Sequence, residues 1–269
     1  MIVFPEPWVS LYVALVGLLL GSFLNVCIHR LPLGQSVVRP RSRCPKCGHE
    51  IRWFENVPVV SWLLLGRRCS GCRAPISARY PMIETLSAAM VWGCWYLYGW
   101  GFAFPIAASF ALAMLVLFFT DYDHKLLPDA ITLSGLVVGL AVAWFNPFLP
   151  SQGWQGVWLS LSGAALGSGL LWGFGALYGR LRGVEAMGMG DVKMMAMVGA
   201  FAGPYGVLIT IFGGSLVGAV VGVALVPLAG RSLQDTLPFG CFLAPAALIA
   251  LLFGRQIAEF YLGIIIPTP

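Results

Sequence analysis

Residues 111–129 read ALAMLVLFFTDYDHKLLPD, and this stretch decides the class of fold. An apolar run continues without a charge to Thr120, and Asp121 then opens a short polar segment. Pro128 cannot continue a helix, so the helix must end before it. A long apolar run closed by charged residues is typical of a helix that reaches the surface of a membrane.

The composition of the whole chain leads to the same class. Of its 269 residues, 59% are hydrophobic and 10% are charged, whereas a soluble protein has about 25% charged residues. A soluble enzyme of this length would need a charged surface that this chain cannot supply, so the excess apolar residues must face lipid. We therefore predict an all-α polytopic membrane protein.

The number of membrane spans follows from the apolar segments, since each span needs about 20 mostly apolar residues. We expect eight transmembrane helices, with seven as the alternative, because the segment 191–203 is short for a span and 239–253 is short unless it continues past Arg255. The first span is not expected to be a cleavable signal peptide, because Glu6 precedes it and no basic segment does. The eight candidates lie near residues 8–28, 83–101, 103–120, 130–149, 157–178, 191–203, 205–228 and 239–253.

The net charge of +5 suggests nucleic acid at first sight, but the distribution of the charges does not. Ten of the 16 Lys and Arg residues lie between Arg30 and Arg79, and five of the other six lie in or beside alternate later connections. Loops rich in Lys and Arg stay on the cytosolic side of a membrane. We therefore predict an outside N-terminus, residues 29–82 in the cytosol, contact with the lipid bilayer and no nucleic-acid partner.

Three regions follow from this pattern. Residues 1–28 form a lone first transmembrane helix, 29–82 a compact polar insert, and 83–269 a helical membrane domain. The insert is too short to build a large core, and folds of this size usually need a disulfide or a metal.

Four cysteines in the insert could supply such a crosslink. Cys44 and Cys47 form one C-x-x-C pair, Cys69 and Cys72 form a second, and 21 residues separate the pairs. Two such pairs can direct four thiolates at one point, which is the arrangement of a structural zinc site. Between the pairs we expect a turn at 56–58 and a packed strand at 61–62.

Other uses of these cysteines remain open. Disulfides are disfavoured because the charge distribution places the thiols in a reducing compartment. A redox C-x-x-C needs only one pair, and an iron–sulfur cluster usually has a different spacing. Cys27, Cys94 and Cys241 lie in apolar segments and are expected to be packing residues.

Acidic residues inside spans are expensive and usually functional. Glu50 and Glu55 fall in the insert and are expected to be solvated. Asp121 and Asp123 lie at the end of an apolar run, where ordinary interface charge is the alternative, with Asp121 paired to the lysine four residues later. Asp129 follows Pro128 and is expected to cap the next helix.

A second acidic element favours a catalytic role for Asp121 over ordinary interface charge. Gly188, Met189 and Gly190 precede Asp191 at the start of a later span, on the same predicted side of the membrane. Glycines beside a carboxylate let another backbone approach closely. Two neighbouring carboxylates cannot easily both ionise, so one can act as a base while the other donates a proton.

Taken together, these motifs resemble the bacterial type IV prepilin peptidase family, in order along nearly the whole chain. The matching stretches are GSFLNV (21–26), RLP (30–32), the four cysteines, NVP (56–58), SW (61–62), RYP (79–81), Glu84, DYDHKLLPD (121–129) and GMGDVK (188–193).

The resemblance implies a function and a set of roles. It implies a bacterial inner-membrane aspartyl peptidase that removes the basic leader from prepilins of type IV pili or pseudopilins of type II secretion. It also implies methylation of the new N-terminus with S-adenosylmethionine. By this resemblance Asp121 and Asp191 are catalytic, and Cys44, Cys47, Cys69 and Cys72 bind zinc.

Supporting roles are expected at Gly188, Gly190, Lys193 and Glu84. Glu84 is also the best candidate for contact with a basic leader, with a structural role at the helix start as the alternative. Three other functions compete: a presenilin-like G-x-G-D protease, a transporter that uses Asp121 and Asp191 as ion or proton relays, and a zinc-stapled scaffold.

Overall fold

The computed structural model describes residues 6–183, 187–229 and 237–265, and nearly all of its regular structure is helical. This confirms the predicted all-α class. Two short 3₁₀ helices, Leu31–Leu33 and Trp53–Asn56, accompany eight α-helices. These are Pro7–Arg30 (α1), Val60–Leu64 (α2), Arg79–Tyr98 (α3), Ala103–His124 (α4), Asp129–Val142 (α5), Trp154–Arg182 (α6), Met189–Ala229 (α7) and Gly240–Ile265 (α8).

Five helices in the described part of the chain are long and apolar enough to cross a membrane. They are α1, α4, α6, α7 and α8, which makes the chain a multi-pass membrane protein. Helix α5 is apolar but shorter, and α3 covers the second predicted span without being among the five. The predicted number of eight spans is therefore not confirmed, although every predicted segment contains a helix, and the segment predicted at 130–149 is helical only to Val142.

The insert differs from expectation in its bounds and in one element. Helix α1 extends to Arg30 and α3 begins at Arg79, so the polar segment is slightly shorter than the predicted 29–82. The predicted strand at 61–62 is wrong, because Ser61 and Trp62 lie in helix α2. The Ser61 hydroxyl donates to the Val57 carbonyl oxygen at 2.7 Å, which favours the helical turn.

The chain divides into two compact units between Leu112 and Ala113. The first unit contains α1, the insert and α3. In it α1 and α3 pack closely through glycine: a Cβ on Gly17 would lie 2.6 Å from the Ala88 Cα, and one on Gly21 would lie 2.6 Å from the Glu84 Cα. Ser87 donates to the Gly17 carbonyl oxygen at 2.8 Å, so the same contact also satisfies a buried hydroxyl.

In the second unit, α7 is interrupted at Gly203, whose φ of 67° and ψ of −173° are not helical. Pro204 follows and has no N–H to donate to the Ala200 carbonyl oxygen one turn earlier. The break divides α7 into an arm of residues 189–202 and an arm of residues 204–229. It falls between the predicted segments 191–203 and 205–228.

Two buried side chains satisfy carbonyl groups beside this break. Ser160 on α6 donates to the Ala200 carbonyl oxygen at 2.7 Å, and the Asn146 amide donates to the Phe201 carbonyl oxygen at 2.8 Å. Because a buried carbonyl without a partner is costly, these two contacts stabilise the broken helix. They fix the position of the first arm, which begins beside Asp191.

Helices α6 and α7 approach so closely that their backbones nearly touch. A Cβ on Gly163 would clash with the Gly199 carbonyl oxygen and would lie 2.8 Å from the Gly203 carbonyl carbon. Only glycine fits at such a contact, and small residues are the usual means of close helix packing in membranes.

We expect Gly163→Ala to destabilise the protein by about 1–3 kcal/mol, because the added methyl group must push the two backbones apart. Gly169→Ala is the matched control on the same helix, since a Cβ there meets nothing within 4 Å. Thermal unfolding of both variants in detergent measures the difference. Equal unfolding midpoints would show that α6 and α7 are not held at this distance.

Candidate active site and cysteine cluster

Asp121 lies in the last turn of α4 with a side chain that is only 5% exposed. Its Oδ2 accepts a hydrogen bond of 2.9 Å from the backbone N–H of Cys241, the second residue of α8. A Cβ on Gly240 would lie 2.9 Å from the same oxygen. The carboxylate is therefore held against the start of α8, a contact 120 residues away that the sequence analysis did not predict.

Asp191 lies in the first turn of α7. Its neighbour Gly190 faces Leu127, because a Cβ on Gly190 would lie 3.0 Å from the Leu127 Cβ. The same leucine also faces the start of α8, with its Cδ2 3.2 Å from the Cβ position of Gly240. Leu127 therefore packs against both helix starts, which places Asp121 and Asp191 near each other. The structure brings the predicted pair together.

The remaining residues of this segment have other contacts. The prediction that Asp129 caps α5 is wrong: Pro128 occupies the cap position, and Asp129 is the first residue of the helix. Its carboxylate instead accepts two hydrogen bonds from the Lys193 ammonium group, at 2.7 and 2.8 Å. Lys193, predicted as a supporting residue, thus joins α7 to α5. Asp123 is exposed to solvent.

Gly188 and Gly190 have different surroundings. A Cβ on Gly190 would crowd Leu127, whereas the nearest atom to a Cβ on Gly188 is an Asp191 carboxylate oxygen at 3.5 Å. The Gly188 carbonyl oxygen accepts the Asp191 N–H at 3.1 Å, which begins the helix. Gly188 therefore lies beside the Asp191 carboxylate, and Gly190 lies against Leu127.

The four cysteines of the insert come together as predicted. Their sulfur atoms all lie within 4.8 Å of one another. The Cys44 and Cys72 sulfurs are 3.8 Å apart, and the Cys47 and Cys69 sulfurs are 4.0 Å apart. Four thiolates about 2.3 Å from one tetrahedral zinc ion would lie about 3.8 Å from each other. The cluster therefore fits a metal ion of that size.

The two cysteine pairs have the same backbone structure, 25 residues apart. In the first, Cys44 N–H donates to the His49 carbonyl at 2.9 Å and Gly48 N–H to the Cys44 carbonyl at 2.9 Å. The second repeats both bonds, at 2.8 Å from Cys69 to Ala74 and at 3.0 Å from Arg73 to Cys69.

The turn residues of the two pairs also correspond. Gly48 and Arg73 both have a positive φ, of 73° and 59°. Single β-bridges close the two turns, Arg43 with Glu50 and Arg68 with Pro75. Residues 42–51 and 67–76 are thus two copies of one motif, which the sequence analysis missed because only the cysteines and Ile51 and Ile76 stand out.

The local electrostatics favour thiolates but not four free ones. The backbone N–H groups of Cys47 and Lys46 lower the pKa of Cys44 to about 6. The N–H of His49 acts in the same direction on Cys47, but the crowded sulfurs, led by that of Cys72, raise the pKa of Cys47 to about 11. A bound cation would remove this repulsion.

His49 and Glu55 support the two pairs instead of contributing a fifth ligand. The His49 Nε2 lies 3.1 Å from the Glu55 Oε2 and 3.0 Å from the Ser70 hydroxyl, which belongs to the second pair. Ser70 and the Arg52 N–H lower the pKa of Glu55 to about 2. The expectation that Glu55 is solvated is wrong, because its side chain is only 8% exposed.

Glu84 also has a partner within its own unit. It is buried, and its Oε2 accepts a 2.8 Å hydrogen bond from the Val59 N–H. Val59 has a φ of 61°, and the Val60 N–H donates to the Pro58 carbonyl, which makes a rare and strained γ-turn. A strained turn persists only where its surroundings hold it. Glu84 therefore supports this turn from the first part of α3, and its contact with a basic leader stays a prediction.

These features define a class: a polytopic helical membrane protein with two neighbouring carboxylates at helix ends and a small four-cysteine unit. Comparison with family models matches residues 15–98 to the bacterial peptidase A24 N-terminal domain and residues 108–223 to the type IV leader peptidase family. The chain belongs to the type IV leader peptidase family.

Similar proteins cover almost the whole chain. A prepilin leader peptidase/N-methyltransferase of Pseudomonas aeruginosa is 40% identical over 92% of this chain and 91% of its own. One from Aeromonas salmonicida is 37% identical over 97% of this chain and 96% of its own. The family resemblance is confirmed, and the transporter alternative has no support. No solved structure matches the chain.

We expect Glu84→Leu to loosen the insert, because it leaves the N–H of Val59 without a partner at a strained turn, at a cost of about 1–3 kcal/mol. Limited proteolysis of the 31–78 segment should accelerate, while Glu84→Gln, which keeps an acceptor oxygen, should change it little.

Glu50→Gln is the control, since Glu50 and its partner Arg43 are about half exposed, at 52% and 53%, and such pairs contribute about 0–1 kcal/mol. If Glu84→Leu and Glu50→Gln are equally resistant to protease, the hydrogen bond to Val59 does not hold the insert.

Proposed function

We propose that this chain is an intramembrane aspartyl peptidase that removes the basic leader from type IV prepilins or type II secretion pseudopilins. One observation supports this most directly: Asp121 and Asp191, on different helices, meet around Leu127. An aspartyl peptidase needs two neighbouring carboxyl groups, one ionised and one protonated. The similar proteins from Pseudomonas aeruginosa and Aeromonas salmonicida are prepilin leader peptidases/N-methyltransferases, which supports the same function.

The chemistry requires one ionised and one protonated carboxyl group. The ionised group takes a proton from water, and the water oxygen attacks the scissile carbonyl carbon. The protonated group gives its proton to the carbonyl oxygen, which yields a tetrahedral diol. The C–N bond then breaks as the leaving nitrogen takes the first proton, and the second carboxyl group regains its own from a diol hydroxyl.

The position of the pair suits a substrate with a basic leader and an apolar helix. Asp121 ends an apolar helix and Asp191 begins one, so both are at the end of a span rather than at its centre. We propose that this end faces the cytosol of a bacterium, that the protein lies in the inner membrane with its N-terminus in the periplasm, and that the insert is cytosolic. The basic residues of the insert and of alternate connections support this orientation.

The insert is proposed to hold one structural zinc ion through Cys44, Cys47, Cys69 and Cys72. A closed set of four thiolates would leave zinc no open position for catalysis, so the ion would fix the fold of the insert. Methylation of the new N-terminus with S-adenosylmethionine is proposed from the names of the relatives alone. The chain has no G-x-G-x-x-G stretch to receive that cofactor, and we assign no residue to it.

We expect Asp121→Asn and Asp191→Asn each to reduce cleavage of a prepilin to background while the protein remains inserted and abundant, because each change removes one proton carrier. Gel analysis of leader removal by the purified variants measures this. Asp123→Asn and Asp129→Asn are the controls and should be milder, since charge near a helix end contributes about 0.3–1 kcal/mol.

Two outcomes would contradict this pair. Substantial cleavage by either Asn variant would remove that residue from the catalytic pair. Loss of cleavage in Asp123→Asn together with a fully active Asp121→Asn would mean that the other acid of the segment is catalytic.

We expect metal analysis of the purified protein to find about one zinc per chain. Replacing Cys44, Cys47, Cys69 or Cys72 by Ser should release the ion, because zinc binding and folding of so small a unit are coupled. Cys94→Ser is the control, since Cys94 is buried in α3. Stoichiometric iron, or full protease resistance of the insert without metal, would count against a structural zinc site.

A further inference from the structure

We propose that the start of α8 holds Asp121 in its ionised form, so that Asp121 is the general base of the pair and Asp191 the general acid. The N–H of Cys241 binds the Asp121 carboxylate, and Gly240, which has no side chain, leaves the space for it. This inference rests on the proposed peptidase function and divides its two roles between the two carboxylates.

The first argument is the hydrogen bonding at the start of α8. The first four N–H groups of a helix have no partner within the helix. Those of Phe242 and Leu243 reach the Phe239 carbonyl oxygen at 3.0 and 3.1 Å. The N–H of Cys241 instead reaches Asp121, at 2.9 Å and in a buried environment. A carboxylate from another helix thus caps α8, and both the hydrogen bond and the helix dipole favour its charged form.

The second argument is the space left by Gly240. A Cβ there would lie 2.9 Å from the Asp121 Oδ2, 3.1 Å from its Cγ and 3.2 Å from the Leu127 Cδ2. Any larger residue would push the carboxylate away from the helix start. The position therefore needs glycine for close approach, not for an unusual backbone angle.

The third argument is the difference between the two carboxylates. No hydrogen bond among the described residues reaches the side chain of Asp191, whereas Asp121 has a fixed donor. When two carboxyl groups are close, the first charge resides on the group that is better stabilised, and the other keeps its proton. Asp191, which is also partly exposed, is then the group that can donate to a substrate carbonyl.

Other titratable groups around Asp121 do not change this assignment. Lys125, which directly follows α4, is the positive group near Asp121. Asp123 on α4 and Asp191 on α7 are the nearby negative groups, and the Cys241 thiol on α8 is buried. Among the described residues Asp191 has no donor comparable to the Cys241 N–H, so the balance between the two carboxylates favours charge on Asp121.

With these roles the proton movements are fixed. Asp121 takes the proton of the attacking water, and Asp191 protonates the carbonyl oxygen. As the C–N bond breaks, Asp121 returns its proton to the leaving nitrogen, and a diol hydroxyl returns one to Asp191. The pair ends in its starting state.

The sharpest test removes one N–H without removing the helix. Cys241→Pro deletes the donor to Asp121, and proline is tolerated in the first turn of a helix because the N–H there has no intrahelical partner. Cys241→Ala loses the same thiol but keeps the N–H, so the comparison of the two isolates the hydrogen bond. Gly254→Ala on α8 is the folding control, since a Cβ there meets only the Ile209 side chain at 3.4 Å.

We expect kcat for prepilin cleavage to be roughly 10- to 100-fold lower in Cys241→Pro than in Cys241→Ala, the usual effect of losing a hydrogen bond to a charged group. KM should change little, because the substrate does not contact this N–H. The acid limb of the pH–rate profile should move to higher pH in Cys241→Pro, because the ionised base has lost a stabilising donor. Gly240→Ala should move it in the same direction.

Equal kcat in Cys241→Pro and Cys241→Ala would overturn the proposal, and so would a shift confined to the basic limb, which would make Asp121 the acid. A merely structural defect would lower kcat without moving either limb and would also overturn it. If the unmodified protein does not cleave prepilin at all, the peptidase function itself fails, and the two failures are therefore distinct.

Discussion

The structure depends on the rule that backbone N–H and C=O groups in a lipid environment must find partners inside the protein. Helices meet this rule along their length, and the places where a helix starts or breaks need a side chain from elsewhere. Ser160 and Asn146 satisfy the carbonyl groups beside the break at Gly203. Asp121 satisfies the start of α8. The residues that meet this requirement therefore also determine where the functional groups lie.

This rule explains why the catalytic candidates lie at helix ends. A carboxylate at the centre of a span would have few donors, whereas a helix start offers unpaired N–H groups and a favourable dipole. Asp121 uses the start of α8 and Asp191 lies in the first turn of α7. The glycines nearby, Gly190 and Gly240, let the chain pass close to Leu127 and the carboxylate. The carboxylates and the glycines that allow close packing therefore lie at the same helix ends.

The insert solves a different problem, that of a small unit without a large core. Its two copies of one turn direct four sulfurs to a common point, and the backbone hydrogen bonds of the copies agree within about 0.1 Å. His49 and Ser70 connect the copies, while Glu84 fixes the strained turn at Val59. A cluster of four cysteines and a few buried polar contacts here replace the apolar packing that stabilises larger domains.

The sequence alone determined the membrane class, the four-cysteine cluster and the pair formed by Asp121 and Asp191, because apolar length, C-x-x-C spacing and rare charges are local signals. It did not predict the Asp129–Lys193 ion pair, the contact between Asp121 and Cys241, or the burial of Glu55 and Glu84. Each of these joins residues from different elements or depends on which turn a short segment adopts. The tertiary structure decided them, because whether a carboxylate is buried, capped or paired depends on which helix start or turn the fold places against it.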